Sequence, residues 1–208
     1  VGILAALRHR DKTGEGQHID VALVDSQIAW LINEGVNHLT SNEIPKRRGN
    51  GHPNIVPYQV FETSDGYVIV AVGNDTQFQR FCDFLEAAHL ADDPQFATNP
   101  ARLENRDALL VAIVPLLQAR STADVIAGLE ARKVPVGPVQ TLDQVFGTDQ
   151  VKARDMIATI PCDDAAAGAV RLIGNPLKLS KTPVTYRRAP PRFGADTDAV
   201  LREIQPKD

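Results

Sequence analysis

The spacing of apolar residues predicts an alternation of helices and short strands. Val1 to Arg8 reads as helix interior, with no Ser, Thr, Asp or Asn ahead of it to cap the first turn. Gly14 and Gly16 supply a stop and a turn. The segment His18 to Val24 then alternates before becoming continuously apolar, the pattern of a short strand. Asp25 or Ser26 can cap a following helix whose apolar face is Ile28, Leu31, Ile32 and Val36, with Trp30 alongside. Helix, strand, helix in this order is the tail of an α/β layer. The uncapped opening leads us to expect that the chain begins in the middle of a domain.

Residues 41–57 have no period and are rich in Asn, Pro, Gly and basic side chains, so they read as a long loop. A hairpin follows, with strands Tyr58–Thr63 and Tyr67–Val72 around Ser64-Asp65-Gly66. Gly73-Asn74-Asp75-Thr76 ends the second strand and can cap a helix carrying Phe78, Phe81, Cys82 and Leu85 on one side. A helix over about Leu103–Ala119 holds Leu109, Leu110, Ile113, Leu116 and Leu117 at helical spacing, and Pro115 inside it implies a kink or an earlier end. Ser121-Thr122-Ala123-Asp124 has the form of a capping box for a helix ending near Lys133. The prolines of Val134–Val139 suit an edge strand, because they cannot donate to a central ladder. Leu142–Arg154 reads as broken helix, Met156–Pro161 and Val170–Ile173 as short strands, and Asp196–Glu203 as a last helix.

At 208 residues and 43% hydrophobic content the chain can bury a real core without staples. A net charge of −4 with both signs interspersed gives no general attraction to nucleic acid or to an anionic membrane surface. No apolar run approaches membrane-spanning length. Cys82 and Cys162 form no CxxC or Cys/His cluster, which argues against structural zinc and disulfides and fits a reducing cytoplasm. We therefore expect neither a metal site nor a membrane or nucleic-acid partner.

Generic catalytic motifs are missing: the sequence has no P-loop, no HExxH, no GxSxG, and no GxGxxG after a strand. The most unusual segment runs from Arg47 to Tyr58. Its glycines allow backbone N–H groups close to a ligand, and Arg47 and Arg48 can meet an anion. The plainer reading is an interdomain linker with a solvated basic pair. His52 can bind substrate, act as an acid or base, or serve as a structural hydrogen bonder. Asn74 and Asp75 suit a helix cap or a site role. Tyr58 reads as hairpin packing, and His9, His18, His38 and His89 as surface residues.

A set of short blocks resembles the family III CoA-transferases, the group of formyl-CoA, carnitine-CoA and bile-acid CoA-transferases. The first is Gly2-Ile3-Leu4-Ala5-Ala6-Leu7 followed by Lys12-Thr13-Gly14-x-Gly16-Gln17-x-Ile19-Asp20-Val21-x-Leu23-x-Asp25. Next come Gly49-Asn50-x-His52-Pro53-x-Ile55-x-Pro57-Tyr58, Asp65-Gly66-x-Val68 and Asn74-Asp75-x-Gln77-Phe78. Asp93-Pro94-x-Phe96, Asn105-Arg106 and Val134-Pro135-x-Gly137-Pro138-Val139 continue the series. Gly174-Asn175-Pro176-x-Lys178-x-Ser180 and Ala189-Pro190-Pro191-x-x-Gly194-x-x-Thr197-Asp198 close it. Each block is weak singly; together, in family order along the whole chain, they are specific.

The resemblance implies an α/β fold incomplete at its N-terminus: the end of a large Rossmann-like CoA-binding domain plus a small α/β domain. Residues 1–55 would end the first portion of the large domain and its linker, 56–140 would be the small domain, and 141–208 would return to the large one. It implies an interlocked homodimer, no covalently bound cofactor, and acyl-CoA and a carboxylic acid as substrates. The nucleophile would be an aspartate upstream of Val1, leaving no catalytic nucleophile in this chain. Asn50, Gly51, His52, Pro53 and Asn54 fall where formyl-CoA transferases have a glycine-rich loop that closes over that aspartate. Gly-His-Pro-Asn in place of a glycine run puts such mobility in doubt. Leu23, Arg48, Asn74 and Asp75 are candidate substrate or CoA contacts, although core burial would explain Leu23 equally. Two alternatives stand beside the transferase: proton transfer like that of the α-methylacyl-CoA racemases, and a fragment that folds or dimerises without turning over.

Overall fold

The computed structural model describes residues 1–204, so the last four residues of the expected return segment lie outside it. It divides into two compact units, Val1–Val139 and a second beginning at Gln140.

The first unit opens with three helices, α1 (Gly2–Thr13), α2 (Leu23–Ala29) and α3 (Ile32–Ser41). Gly14 stops α1 in the left-handed conformation, at φ 81°, and donates its N–H to Arg10 O. The strand expected over His18–Val24 does not form. A strand requires a ladder partner, and no described segment pairs with this one, so it runs to Ala22, where α2 starts. Neither Asp25 nor Ser26 caps α2: Asp25 sits in its first turn, and the Ser26 hydroxyl donates back to Ala22 O. None of the three helices buries a residue, and Leu23, Trp30, Leu39 and Ile44 are all more than four-fifths exposed. Leu23 is thus exposed among the described residues.

The core of this unit lies further along. Strands β1 (Tyr58–Glu62) and β2 (Tyr67–Ala71) form the expected hairpin, with Tyr58 opposite Ala71 and Glu62 opposite Tyr67. Helices α4 (Asp75–Phe84), α5 (His89–Asp92), α6 (Asn99–Glu104), α7 (Arg106–Gln118) and α8 (Thr122–Ala131) follow, and β3 (Val136–Pro138) then pairs antiparallel with β2. The sheet order β1-β2-β3 puts the proline-bearing strand at an edge. Val68 and Val70 face one side of β2 and pack with Phe78, Phe81, Leu109, Ile113, Leu117 and Leu129, all buried. Asn105 separates α6 from α7, where the pattern suggested one helix, while α7 runs through Pro115 to Gln118 instead of ending there.

Side-chain caps begin three of these helices, Thr98 accepting from Ala101 N–H at the head of α6. Asn74 accepts from Gln77 N–H at 2.9 Å at the head of α4, and Ser121 accepts from Asp124 N–H at 3.1 Å at the head of α8. The box at α8 departs from the usual form, because the Asp124 carboxylate accepts from the Ser121 hydroxyl at 2.7 Å. The hairpin turn reaches the same helix end: Asp65 accepts from Thr122 N–H at 2.7 Å, a bond that holds its carboxyl below the ordinary value.

The second unit contains α9 (Leu142–Gly147), α10 (Asp149–Ala153), the antiparallel pair β4 (Ile157–Pro161) and β5 (Ala169–Ile173), and α11 (Thr197–Ile204). The broken helix, both strands and the last helix match the pattern. Ala158 and Ile160 are its buried hydrophobics. Both sheets among the described residues are antiparallel and the class is mixed α/β. Among the described residues no single helix is long and apolar enough to cross a membrane.

Two outcomes follow from this packing. A Cβ on Gly128 would lie 2.1 Å from Phe84 Cε2, and the guanidiniums of Arg120 and Arg132 lie 5.4 and 5.7 Å from that ring. Gly128→Ala should lower the urea midpoint, because overpacking of about 1–3 kcal/mol outweighs the gain in helix propensity. Burial pushes the Cys82 thiol up to about 12, with Arg102 pulling the other way. Iodoacetamide at pH 8 should label half-buried Cys162 and leave Cys82 untouched until the core unfolds.

Candidate functional site

The 50–57 segment has a short path to fold along, from the end of the basic stretch to the start of β1. Gly49, at φ 63°, turns the chain, and Gly51 N–H closes the turn on Arg48 O. The Asn50 side chain accepts from Val60 N–H at 3.0 Å, and His52 N–H donates to Tyr58 O at 2.9 Å, so the loop folds back against the strand it feeds. The His52 ring stacks on Tyr58, with centroids 5.0 Å apart and planes at 9°. Tyr58 thus packs against the loop as well as pairing in β1.

His52 Nδ1 accepts from Asn54 N–H at 3.1 Å. A ring nitrogen that accepts carries no proton, so the neutral imidazole holds its hydrogen on Nε2. Nε2 has no hydrogen-bond partner among the described residues, and no buried side-chain polar atom there lacks one, so Nε2 is open to solvent. His52 is therefore presented as a donor at a fixed angle.

Three side chains from the α6–α7 region reach the loop. Asn99 takes both sides of a peptide-like pairing: Oδ1 accepts from Val56 N–H at 3.2 Å and Nδ2 donates to Asn54 O at 2.8 Å. Arg102, fully buried, donates to Val56 O at 2.8 Å, to Phe96 O at 2.9 Å and to Asp75 Oδ1 at 2.8 Å, with its guanidinium 4.3 Å from the Phe78 ring centroid. Arg106 donates from Nη2 to His52 O at 2.8 Å and to Pro53 O at 3.3 Å. Burial, followed by the nearby charge of Arg48, pulls the Arg106 guanidinium below its ordinary value, and Asp107 opposes both. It remains a cation at any working pH.

The candidate residues separate by role. Asn50, Gly51, His52, Pro53 and Asn54 form the folded loop. Arg48 lies at its base and pairs with Glu34 at 2.5 Å rather than standing as a solvated cation. Asn54 exchanges side-chain contacts with Asn37 on α3, and an open cleft of about 520 Å³ between α3 and residues 43–54 includes Glu34, Asn37, Lys46, Arg48, Pro53 and Asn54 in its lining. Asn74 is the α4 cap, and Asp75 is the exposed half of the Arg102 pair. Leu23 is remote in kind, an exposed first-turn residue of α2 rather than a strand end. His38 is not idle: its Nδ1 lies 2.8 Å from Glu43 O. Among the described residues no three His, Cys, Asp or Glu side chains gather as they would around a metal ion.

Sequence reasoning missed Asn99 and Arg102. Thr98, which accepts from Ala101 N–H, and Pro100 together mark a helix start just there, a signal for α6 but not for what its side chains reach. Arg106 was visible within the Asn105-Arg106 block, without a role.

The whole arrangement belongs to a known class. Residues 1–197 match the family model for CoA-transferase family III, and the chain belongs to that family. The succinate–glutarate CoA-transferase of Agrobacterium fabrum is 39% identical over 203 residues, covering 98% of this chain and 50% of that protein. The human succinyl-CoA:glutarate CoA-transferase is 33% identical over 202 residues, covering 97% of this chain and 46% of that one. Among solved structures, a CAIB/BAIF family protein from Brucella suis matches with a TM-score of 0.76 at 38% identity, covering 98% of this chain and 52% of that one. The chain spans about half the length of the curated relatives it matches.

The Asp75–Arg102 pair generates a direct test. Removing the carboxylate in Asp75→Ala leaves a buried cation with only carbonyl partners. The variant should lose about 1.5–3 kcal/mol in urea unfolding, the range for a hydrogen bond to a charged group.

Proposed function

We propose that this chain is part of an acyl-CoA:carboxylate CoA-transferase that moves CoA between carboxylic acids through an aspartyl anhydride and an aspartyl thioester. The reading is carried by the 39% identity to a succinate–glutarate CoA-transferase over nearly the whole chain. The nucleophilic aspartate would stand just before the Gly2–Leu7 helix. Residues 1–55 would finish the first portion of a CoA-binding domain, 56–140 form the small domain, and 141–208 return to the large one.

In this mechanism the aspartate carboxylate attacks the thioester carbonyl and expels CoA thiolate, forming a mixed anhydride. The thiolate attacks the aspartyl carbonyl, releasing the first acid and leaving an enzyme thioester. The acceptor carboxylate then attacks that thioester, freeing the thiolate again as a second anhydride forms. Thiolate attack on the acceptor acyl group gives the new acyl-CoA and restores the aspartate. Each step is an acyl transfer easier than direct exchange.

The residues of this chain would supply one wall. The 50–54 loop excludes water from the anhydrides, and His52 Nε2–H is a donor for a developing oxyanion. Arg106, whose loop partners are neutral carbonyls, leaves a positive charge beside the loop that favours anionic substrates. By kinship with succinate, glutarate, oxalate and mesaconate CoA-transferases, short dicarboxylates are the substrate class we favour. The apolar faces left open on α1, α2 and α3 suit burial by the remainder of a large domain and by a second copy in an interlocked homodimer. A cytoplasmic enzyme without a covalent cofactor fits this reading.

The test is direct. The intact enzyme, given succinyl-CoA and glutarate, should form glutaryl-CoA and free succinate. Hydroxylamine should trap an aspartyl hydroxamate on the enzyme while acyl-CoA is present. Exchange of the α-hydrogen of a 2-methylacyl-CoA with solvent deuterium, without CoA transfer, would replace this reading with the racemase.

A further inference from the structure

The loop's carbonyls are held with unusual completeness. From His52 to Pro57, five of the six main-chain carbonyls accept a hydrogen bond, and four of these are engaged by side chains of Asn99, Arg102 and Arg106. Asn99 and Arg102 stand three apart on α6, the spacing that brings side chains to one side of a helix, and Arg106 is the first residue of α7. Val56 is held from both ends, its N–H by Asn99 and its C=O by Arg102. Two internal bonds, His52 N–H to Tyr58 O and Asn54 N–H to His52 Nδ1, leave the imidazole no free rotation. Gly51 leaves room for this arrangement, because a Cβ there would come within 3.3 Å of Arg106 Nη1 and 3.4 Å of Arg48 O.

We propose that Asn99 and Arg106 are positioning residues that hold the 52–56 loop as a rigid wall and thereby aim the His52 Nε2–H, so that the loop works without moving. Arg102 has the same effect on Val56, but its core contacts make it a poor reporter of function. The inference rests on the reading of residues 50–54 as a wall of the transfer site. The clamp itself does not depend on that reading. Arg106 does its part with the two N–H groups of Nη2 on two successive carbonyls; a lysine ammonium keeps the charge but sits on a shorter stem without the planar geometry that aims those N–H groups. Asn99 requires its amide: the oxygen must accept and the nitrogen must donate.

The test compares the intact enzyme with Arg106→Met, Arg106→Lys and Asn99→Asp, following amide hydrogen exchange and steady-state kinetics together. In Arg106→Met and Asn99→Asp, the amides of His52, Asn54 and Val56 should exchange about tenfold faster or more, while those of β2 and α8 keep their rates. kcat for CoA transfer should fall about tenfold or more with KM for acyl-CoA little changed, and the share of thioester lost to hydrolysis should rise. Arg106→Lys should lie between. Asn99→Asp, which keeps the acceptor for Val56 N–H, guards against a variant that simply fails to fold. Unchanged loop exchange in both Arg106→Met and Asn99→Asp overturns the clamp. Faster loop exchange with kcat and hydrolysis both unaltered overturns the positioning role. If the unsubstituted enzyme transfers no CoA, the functional reading fails, and the exchange pattern still decides the clamp.

Discussion

The buried guanidinium of Arg102 is the interaction on which the first unit depends. A cation with no exposed surface must have its donors filled, because desolvating a charge costs several kcal/mol. Here they are filled by the end of the loop, by the turn before α6 and by the first residue of α4. The Phe78 ring against the guanidinium closes the apolar side. One side chain thus fixes where the long loop enters β1 and where α4 begins, and it joins the 50–57 segment to the core. Replacing it with an apolar residue would strand two carbonyls as well as removing a charge.

The rest of the first unit follows from that junction. Once Val56 is seated, Val72 N–H bonds Pro57 O, the hairpin registers with Tyr58 opposite Ala71, and Asn99 and Arg106 fall within reach of the loop. The opposite end of the hairpin is tied as well. Asp65 in its turn accepts the first N–H of α8, and the Thr63 and Thr122 hydroxyls meet at 2.7 Å. The sheet is therefore fastened to helices at both ends.

What the sequence disclosed was what is local. Asn74, Ser121 and the Ser64-Asp65-Gly66 turn announce themselves through side chains that bond their own neighbours, and the elements they bound came out as read. The ordered blocks from Gly2 to Asp198 disclosed the family, because each needs only its own residues to be recognised. The strand over His18–Val24 failed for the opposite reason: alternation states a preference, and pairing must come from elsewhere. Pro115 does not end α7, since packing of Leu109, Ile113 and Leu117 carries the helix through the missing donor. The loop was legible as unusual, by its glycines and basic residues, but its fastening was not. Asn99, Arg102 and Arg106 act 43 to 54 residues away from the backbone they hold, and no local pattern encodes that distance.

That separation has a consequence for how the molecule comes to be folded. Contacts of such long sequence range form only after loop-closure entropy has been spent on the hairpin and on α6 and α7. The geometry around His52 is therefore among the last features to settle, and it settles together with the core rather than before it. A chain arrested with its helices made and its sheet unpaired would have the loop's local turns but not the fastening that fixes their place.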